Sequence, residues 1–323
     1  MKVCLVKTSS MGDVLHTLPA LTDAQNALPD IQFDWVVEEN FAEIPRWHSA
    51  VNQVIPVAIR RWRKHPFSST TKHEWHAYRT ILQAHRYDAV IDAQGLIKSA
   101  FLATRLAQGI KYGYDYKCAR EPFASLFYDR KFYIDYQQHA VERIRRLFAQ
   151  SLGYTLPASQ GDYGIARHFI KQDPNERDYI IFIHATTRAD KHWLDTKWKK
   201  TAEKITDTLG VEIRLPWGNE KEKQRADRIA NGIKKATVLP KLSLTELAHQ
   251  IANANAVISL DTGLAHLSAA LDKPNITLYG PTDPTLIGTY GKNQIHLKKD
   301  KMEWIRAEDV VHLFDRVDMH FEA

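Results

Sequence analysis

Residues 256–266 read AVISLDTGLAH, and this stretch constrains the fold more than any other part of the chain. An apolar run rich in β-branched residues stops at Asp261, Thr262 and Gly263, and helical spacing resumes in LSAAL. The pattern predicts a strand, a tight turn and a helix N-terminus, where unpaired N–H groups attract anions. Gly263 lets an anion approach the backbone closely. The stretch predicts a nucleotide phosphate site; the alternative is that Asp261 or Thr262 is an ordinary helix N-cap.

Strand and helix patterns alternate through both halves of the chain. The first half has predicted strands at 3–7, 33–37, 54–57 and 89–92, and helices at 14–27, 96–107 and 141–152. The second half has predicted strands at 179–184, 211–216, 256–260 and 275–279, and helices at 196–209, 220–232, 244–252 and 307–317. Such alternation is typical of βαβ units, so we expect an α/β fold with two Rossmann-like, doubly wound domains.

The length of 323 residues fits two domains of ordinary size. A linker is predicted near 155–172, where periodicity is weak and prolines and glycines recur. The expected domains are 1–160 and 170–300. A last helix, about 305–320, is expected on a domain core, and packing back on the N-terminal domain is left open. Doubly wound domains bind ligands at the carboxyl ends of their strands, and a cleft between two of them suits two substrates.

Composition limits the cellular compartment and the bound groups that we expect for this chain. The chain has two cysteines, and its N-terminus MKVCLVKTSS has too short an apolar run for a signal peptide. No apolar run reaches the roughly 18 residues that span a membrane. No grouping of histidine, cysteine or carboxylate residues has metal-ligand spacing. We therefore expect a cytoplasmic protein without a disulfide framework and without a bound metal.

Positive charge is concentrated in the first half of the chain. Residues 60–131 hold 14 lysines and arginines against 6 acidic residues. This excess predicts a polyanionic partner: a nucleic acid, an acidic membrane surface or a phosphorylated substrate. The alternative is an ordinary basic surface. The candidate anion contacts, which include guanidinium groups able to bind phosphate bidentately, are Arg60, Arg61, Arg63, Lys64, Lys98 and Arg120. The sequence SSTT at 68–71 predicts a mobile loop after the basic run.

Asp13 follows the first predicted strand in the sequence SSMGD. A carboxylate at the carboxyl end of a strand could act as a general base and take the proton of an attacking hydroxyl. The alternative is that Asp13 caps the predicted helix 14–27. Near a helix N-terminus its pKa would fall, which keeps the carboxylate ionised.

A second set of candidates lies in the second half of the chain. Thr186, Thr187 and Lys191 follow the strand predicted at 179–184 and could bind a diphosphate and neutralise it as a leaving group. Glu222 could accept hydrogen bonds from ribose hydroxyls. His266 could reach a phosphate or a sugar. The alternatives are a solvated Lys191, a Glu222 on a charged helix face, and a His266 that only packs against the sheet.

The motifs together resemble the lipopolysaccharide heptosyltransferases of glycosyltransferase family 9. They are KTSSMGDVLHTLPAL at 7–21, DAQGLIKSA at 92–100, AREPFASLFY at 119–128, HATTRADKHW at 184–193, LPWG at 215–218, DTGLAHL at 261–267 and PNITLYGPTDPTLIG at 274–288. The resemblance spans nearly the whole chain in one order, and it is weakest at 65–80 and in the C-terminal tail.

The resemblance implies a GT-B architecture, in which two Rossmann-like domains face a cleft. It implies inverting transfer of heptose from ADP-L-glycero-D-manno-heptose to the Kdo residue of Kdo–lipid A, as the first heptose of the inner core. Addition of the second heptose is the alternative within the family. No metal or other cofactor is implied.

The resemblance also implies roles for individual residues. Asp13 is the expected base, and Lys191 is expected to assist departure of ADP. The implied donor contacts are Thr186, Thr187, Lys191, Glu222, Asp261, Thr262, Gly263 and His266. The implied contacts to the phosphates and carboxylates of the acceptor are Arg60, Arg61, Arg63, Lys64, Lys98 and Arg120.

Two unrelated classes explain the sequence less well. A nicotinamide dehydrogenase would place G-x-G-x-x-G after a strand, and the chain has no such motif. A basic RNA- or membrane-binding module explains 60–131 but not the loops of the second half. We expect no nucleic acid partner. We expect a peripheral protein on the cytoplasmic face of an anionic inner membrane, attracted by charge and by its lipid acceptor.

Overall fold

The computed structural model describes residues 1–170 and 178–315, and the chain forms two compact units, Met1–Gly164 and Ile165–Ala323. The predicted linker 155–172 and the predicted helices 307–317 and 305–320 therefore lie partly outside the described residues. None of the helices in the described part is long and apolar enough to cross a membrane.

The first unit, described throughout, is built on one parallel sheet of six strands in the order β3-β2-β1-β4-β5-β6. The strands are β1 (Lys2–Val6), β2 (Gln32–Glu38), β3 (Val51–Val57), β4 (Ala89–Asp92), β5 (Lys111–Tyr114) and β6 (Arg130–Phe132). The α-helices are α1 (Met11–Leu15), α2 (Leu18–Ala27), α3 (Glu43–Arg46), α4 (Ile59–Trp62), α5 (Ser69–Gln83), α6 (Ile97–Ser99) and α7 (Ala140–Leu152). Short 3₁₀ helices cover Glu39–Phe41 and Pro122–Phe127, and a π-helical turn covers Ala100–Thr104.

The described part of the second unit repeats this plan with six parallel strands in the order β12-β11-β10-β7-β8-β9. The strands are β7 (Tyr179–Ile183), β8 (Glu212–Leu215), β9 (Ala236–Val238), β10 (Ala256–Leu260), β11 (Asn275–Tyr279) and β12 (Gln294–Lys298). The α-helices are α8 (Ala166–Phe169), α9 (Asp195–Leu209), α10 (Glu220–Ala230), α11 (Leu244–Ala252), α12 (Gly263–Ala270), α13 (Pro284–Ile287) and α14 (Ala307–Phe314). Further 3₁₀ helices cover Ala189–Lys191 and Met302–Trp304.

Strand order fixes where each unit can bind a ligand. The central strands β1, β4, β7 and β10 have buried apolar side chains on both faces, because helices cover both sides of a parallel sheet. The order reverses between β1 and β4 in the first unit and between β7 and β10 in the second. Connections leave these neighbouring strands toward opposite faces, so a crevice opens at their carboxyl ends. Each unit therefore has a ligand crevice lined by the segments after two central strands.

Some predicted elements of the first unit are wrong in detail. The predicted helix 14–27 is two helices, α1 and α2, separated at His16 and Thr17. The stretch at 68–71 is not a mobile loop, because Ser68 caps α5 by accepting a hydrogen bond from the Thr71 backbone N–H at 3.1 Å. Serine and threonine are favourable at a helix start, so their loop-like composition was misleading there.

Helix α14 packs on the second unit. Its apolar residues Ala307, Val310 and Phe314 join a buried cluster with residues of β7, β8, β10 and β11. Trp193 fixes the chain just before it by donating a hydrogen bond from Nε1 to the Ile305 carbonyl oxygen at 2.9 Å. For the described residues of this helix, packing back on the N-terminal domain is therefore wrong, because its apolar face is buried in the second unit.

Candidate active site

The loop after β1 is held against the end of β4 by a buried glutamine. Gln94 Oε1 accepts hydrogen bonds from the backbone N–H groups of Thr8 at 2.9 Å and Ser9 at 3.1 Å. Lys7, itself buried, donates from Nζ to the Ala93 carbonyl oxygen at 2.8 Å. These bonds connect the ends of β1 and β4 across the crevice, so the loop that carries Asp13 has a fixed position.

Asp13 lies in the first turn of α1, and the helix begins before it. Its Oδ2 accepts hydrogen bonds from the Ser10 backbone N–H at 2.8 Å and the Ser10 hydroxyl at 3.1 Å. Ser10 therefore occupies the N-cap position and Asp13 reaches back to it. The simple N-cap alternative is wrong for Asp13, although the carboxylate does contribute to capping. About 31% of its side chain remains exposed, so a substrate can reach it.

The surroundings of Asp13 keep it ionised. Burial alone would raise its pKa, but the Lys7 ammonium, the Ser10 hydrogen bonds and the Arg120 guanidinium together hold the pKa below its ordinary value. Lys7 Nζ lies 3.8 Å from Asp13 Oδ1. Burial in turn lowers the pKa of Lys7, against the opposing effect of Asp13. Lys7 was missed in the sequence, where a lysine at a strand end resembles an ordinary surface residue.

The expected acceptor residues do not form one contact set. Arg120 acts electrostatically on Asp13, whereas Arg60 and Lys98 lie near Glu38. Burial raises the pKa of Glu38, and the nearby cations Arg60 and Lys98 oppose that rise. The Arg60 backbone N–H also donates to Glu38 Oε1 at 2.9 Å. Cationic groups thus lie near both Asp13 and the end of β2.

The remaining basic residues belong to the run at 60–64. Arg63 and Lys64 are exposed, and Arg63 lines an apolar pocket with Trp62 and Trp75. Their exposure leaves both cations accessible to an anion. The Trp62 ring is buried against Trp75 and Tyr78.

Arg61 differs from its neighbours, because carboxylates of its own unit occupy its guanidinium. Its Nε and Nη2 donate to the two oxygens of Glu39 at 3.1 and 3.0 Å. Its Nη1 donates to Glu74 at 2.8 Å, and the Trp62 indole donates to the same carboxylate at 2.7 Å. An anionic acceptor would have to replace these carboxylates, so a contact between Arg61 and the acceptor stays a prediction. Its partners lie 22 and 13 residues away in sequence, so the basic run alone could not reveal them.

In the second unit, an ion pair joins the segments that follow β7 and β10. Lys191 Nζ lies 2.5 Å from Asp261 Oδ2, and only 13% and 9% of these side chains are exposed. The two residues lie 70 positions apart in sequence. The structure thus brings Lys191, the predicted diphosphate contact, and Asp261, an implied donor contact, together at the switch point of the sheet.

Helix α12 begins directly beside this ion pair. Thr262 occupies the N-cap position but makes no side-chain capping hydrogen bond, and Gly263 is the first helical residue. An N-cap without that bond leaves early N–H groups of the helix to an incoming anion. Asp261 lies one residue before the N-cap, and its carboxylate pairs with Lys191. His266 is buried one turn into the helix.

The other donor candidates lie at the ends of β7 and β8. Glu222 is in the first turn of α10, where its Oε2 accepts from the Gly218 backbone N–H at 2.7 Å and its Oε1 from the Asn219 side chain at 2.8 Å. Its carboxylate is therefore part of the helix cap as well as a candidate ribose contact. Thr186 is partly buried and Thr187 is exposed on the segment after β7.

Sequence reasoning missed a histidine pair at this end of the second sheet. His184 is buried and bonds to the Pro216 carbonyl oxygen at 3.0 Å, which connects the ends of β7 and β8. Burial and the Arg225 charge lower the pKa of His184 to about 4, so it is neutral at pH 7. His192 bonds to Arg225, and its pKa is also lowered by burial and by that charge. The sequence offered one signal for this pair, which is that His184 ends the predicted strand 179–184.

Within residues 1–170 and 178–315, no group of three or more histidine, cysteine or carboxylate side chains is placed to hold a metal ion. Among the described residues, the groups suited to take part in a reaction are the Asp13 carboxylate, the Lys191–Asp261 ion pair and the N-terminus of α12.

Comparison with known proteins points to one family. The model of glycosyltransferase family 9 (heptosyltransferase) matches residues 75–310. Lipopolysaccharide heptosyltransferase 1 of Escherichia coli K12 is 62% identical over 296 residues, which cover 91% of this chain and 92% of that protein.

Two solved structures are similar over almost their whole length. The E. coli heptosyltransferase WaaC with ADP has a TM-score of 0.95 and 58% identity, covering 98% of this chain and 99% of that one. The same enzyme with ADP-2-deoxy-2-fluoro heptose has a TM-score of 0.93 and 57% identity over the same shares. The two parallel sheets and these likenesses give the α/β fold of GT-B type that the resemblance implied. The chain belongs to glycosyltransferase family 9, the heptosyltransferase family.

Proposed function

We propose that this chain transfers L-glycero-D-manno-heptose from ADP-heptose to the Kdo residue of Kdo–lipid A, with inversion at the anomeric carbon. The observation that carries the proposal is the Lys191–Asp261 pair at the N-terminus of α12. A cation and free helix N–H groups suit a diphosphate, and an adjacent carboxylate suits sugar hydroxyls. The 62% identity to a protein named lipopolysaccharide heptosyltransferase 1 supports the sugar and the acceptor.

Donor binding would rearrange the ion pair. In the structure Lys191 is neutralised by Asp261 at 2.5 Å. An arriving diphosphate carries more negative charge than one carboxylate and can take over the ammonium. Asp261 is then available to accept hydrogen bonds from heptose hydroxyls. Thr186, Thr187, Gly263 and His266 would line the phosphate side, and Glu222 would meet the ribose while keeping its bond to the Gly218 N–H.

The chemical step is a single displacement. The acceptor hydroxyl oxygen bonds to the anomeric carbon of heptose as the bond from that carbon to the ADP oxygen breaks. Asp13 takes the hydroxyl proton, and Lys191 with the N–H groups at Thr262 and Gly263 stabilises the negative charge that develops on ADP. A carboxylate with a lowered pKa is a modest base, which suffices when the heptose transition state carries most of the developing positive charge.

The acceptor would be held by cations of the first unit. Arg60, Arg63, Lys64, Lys98 and Arg120 have exposed side chains. Arg120 acts on Asp13 and so lies on the side of the general base. Phosphates and carboxylates of Kdo–lipid A are suitable partners for these groups. We also propose peripheral contact with the cytoplasmic face of an anionic inner membrane, where such an acceptor resides.

Acceptor choice tests the proposal against addition of the second heptose. We expect ADP release from ADP-heptose to be rapid with Kdo–lipid A and slow with the same lipid already carrying one heptose. The opposite preference would assign the chain to the second addition, and no release with either lipid would contradict the proposed reaction.

Lys7 should set the acid limit of activity. Asp13 must be ionised to act as a base, so activity falls as pH falls through the Asp13 pKa. Because the Lys7 ammonium lowers that pKa, Lys7→Met should raise it and move the acid limb of the kcat/KM profile to higher pH. Lys7→Arg keeps the charge and should shift the limb less. An unchanged limb in Lys7→Met would contradict either the coupling or the assignment of Asp13.

A further inference from the structure

The first unit has an exposed apolar surface that the proposed reaction does not use. Helix α6 continues into the π-helical turn, and Ile97 and Phe101 lie four residues apart on this segment with 41% and 45% of each residue exposed. On the 3₁₀ helix Pro122–Phe127, Phe123 and Leu126 lie three residues apart and are 60% and 71% exposed. These spacings put each pair on one side of its own helix.

The two segments form one surface because they pack on a shared cluster of buried side chains. Ala100, Ala124 and Tyr128 are buried together, with Phe127 packed against them. The Phe101 and Phe127 rings meet edge to face at 6.2 Å. The Ile97 backbone N–H donates to Glu121 Oε2 at 2.6 Å, which connects the start of one segment to the residue before the other. The large exposed apolar side chains thus lie over a buried cluster, which makes the surface rigid.

Basic residues surround this surface. Lys98, Arg105, Lys117 and Arg120 are all exposed on or beside the two segments. The Arg105 guanidinium lies over the Phe101 ring at 4.0 Å, so its charge stays at the border of the apolar area. Tyr116, 56% exposed, packs edge to face on Phe123 and presents a polar hydroxyl with an apolar ring. Apolar side chains with an aromatic and cationic border match the interface of an anionic bilayer.

We propose that the surface formed by Ile97, Phe101, Phe123 and Leu126 docks this chain on an anionic lipid bilayer. The four side chains enter the acyl boundary, and the surrounding cations contact lipid phosphates. Arg120 connects the surface to the reaction, because it acts electrostatically on Asp13. Docking here would present the general base to an acceptor that projects from the same bilayer. This placement rests on the proposed function, whereas bilayer binding itself does not.

Vesicle binding by the full chain tests the surface. Cosedimentation should show binding to phosphatidylglycerol vesicles, weakened by salt, and much less binding to phosphatidylcholine vesicles. The double variant Phe123→Ser/Leu126→Ser should lower the apparent partition coefficient at least about tenfold. Tyr133→Ser is the matched control, since Tyr133 is 62% exposed on the same unit outside the surface, and it should bind like wild type. Circular dichroism and thermal melting check that each variant is folded.

Two results would overturn the proposal. One is wild-type binding by the folded double variant. The other is a loss of binding in Phe67→Ser alone, since Phe67 is 85% exposed near the basic run at 60–64 and offers a competing contact. Heptosyl transfer to an acceptor without acyl chains should be unchanged in the double variant. The wild-type protein could bind the vesicles and yet transfer no heptose, either to Kdo–lipid A or to the acceptor without acyl chains. In that case the proposed function would fail and the docking surface would stand.

Discussion

Asp13→Asn is expected to lower kcat by about 100- to 10,000-fold while the KM for ADP-heptose changes less than about twofold. Asparagine keeps the size of the side chain and can still accept a hydrogen bond from the Ser10 backbone N–H. It cannot take up the proton of the attacking hydroxyl, so the loss falls on the chemical step. Steady-state ADP release with Kdo–lipid A measures both constants.

A matched control distinguishes the loss of the general base from the general effect of removing one negative charge. Asp30→Asn removes a carboxylate from the surface of the same unit, and Asp30 has a φ of 68°, a conformation that asparagine tolerates well. Its kcat should equal that of wild type. If Asp13→Asn turned over at the wild-type rate, Asp13 would not be the base, and its contact with Ser10 would be only a helix cap.

Lys191→Met is expected to lower kcat by about 100- to 1,000-fold and to raise the KM for ADP-heptose. Two effects add in this variant. The ammonium that neutralises departing ADP is lost, and Asp261 is left unpaired with 9% of its side chain exposed at the place where the diphosphate must bind. ADP release measures turnover, and titration of ADP into the free enzyme measures binding.

Lys200→Met is the control for Lys191, because Lys200 is an exposed lysine of α9 whose ion pair with Glu308 lies on the same unit. Turnover and ADP affinity should be unchanged there. Lys191→Arg keeps the charge with a different shape, and it should recover part of the ADP affinity. Wild-type ADP affinity and turnover in Lys191→Met would remove Lys191 from the donor site.

Strands with an uninterrupted buried apolar run could be predicted from sequence, and short or partly exposed strands were missed. Strands β4, β10 and β11 have the predicted bounds, because their side chains are buried on both faces and the apolar run is uninterrupted. Strands β5, β6, β9 and β12 were missed. Arg130–Phe132 has three residues, and Gln294–Lys298 is partly exposed along its length. Neither gives a continuous apolar run.

Pairings across the sheet could not be predicted either. The position of Asp261 after β10 followed from the strand and helix pattern, but its bond to Lys191 depends on β7 lying beside β10. In the same way, the fixed loop around Asp13 depends on Gln94 from the end of β4. Sequence located the segments, whereas the strand order decided which side chains meet.

The anomeric configuration of the product tests the central claim most directly. Heptose transferred to Kdo–lipid A can be examined by NMR through the one-bond carbon–proton coupling at its anomeric carbon. A single displacement at the site of Asp13 predicts a new heptosyl bond with the configuration opposite to that of the ADP-heptose supplied. A product with retained configuration, or no heptosyl product, would contradict the account.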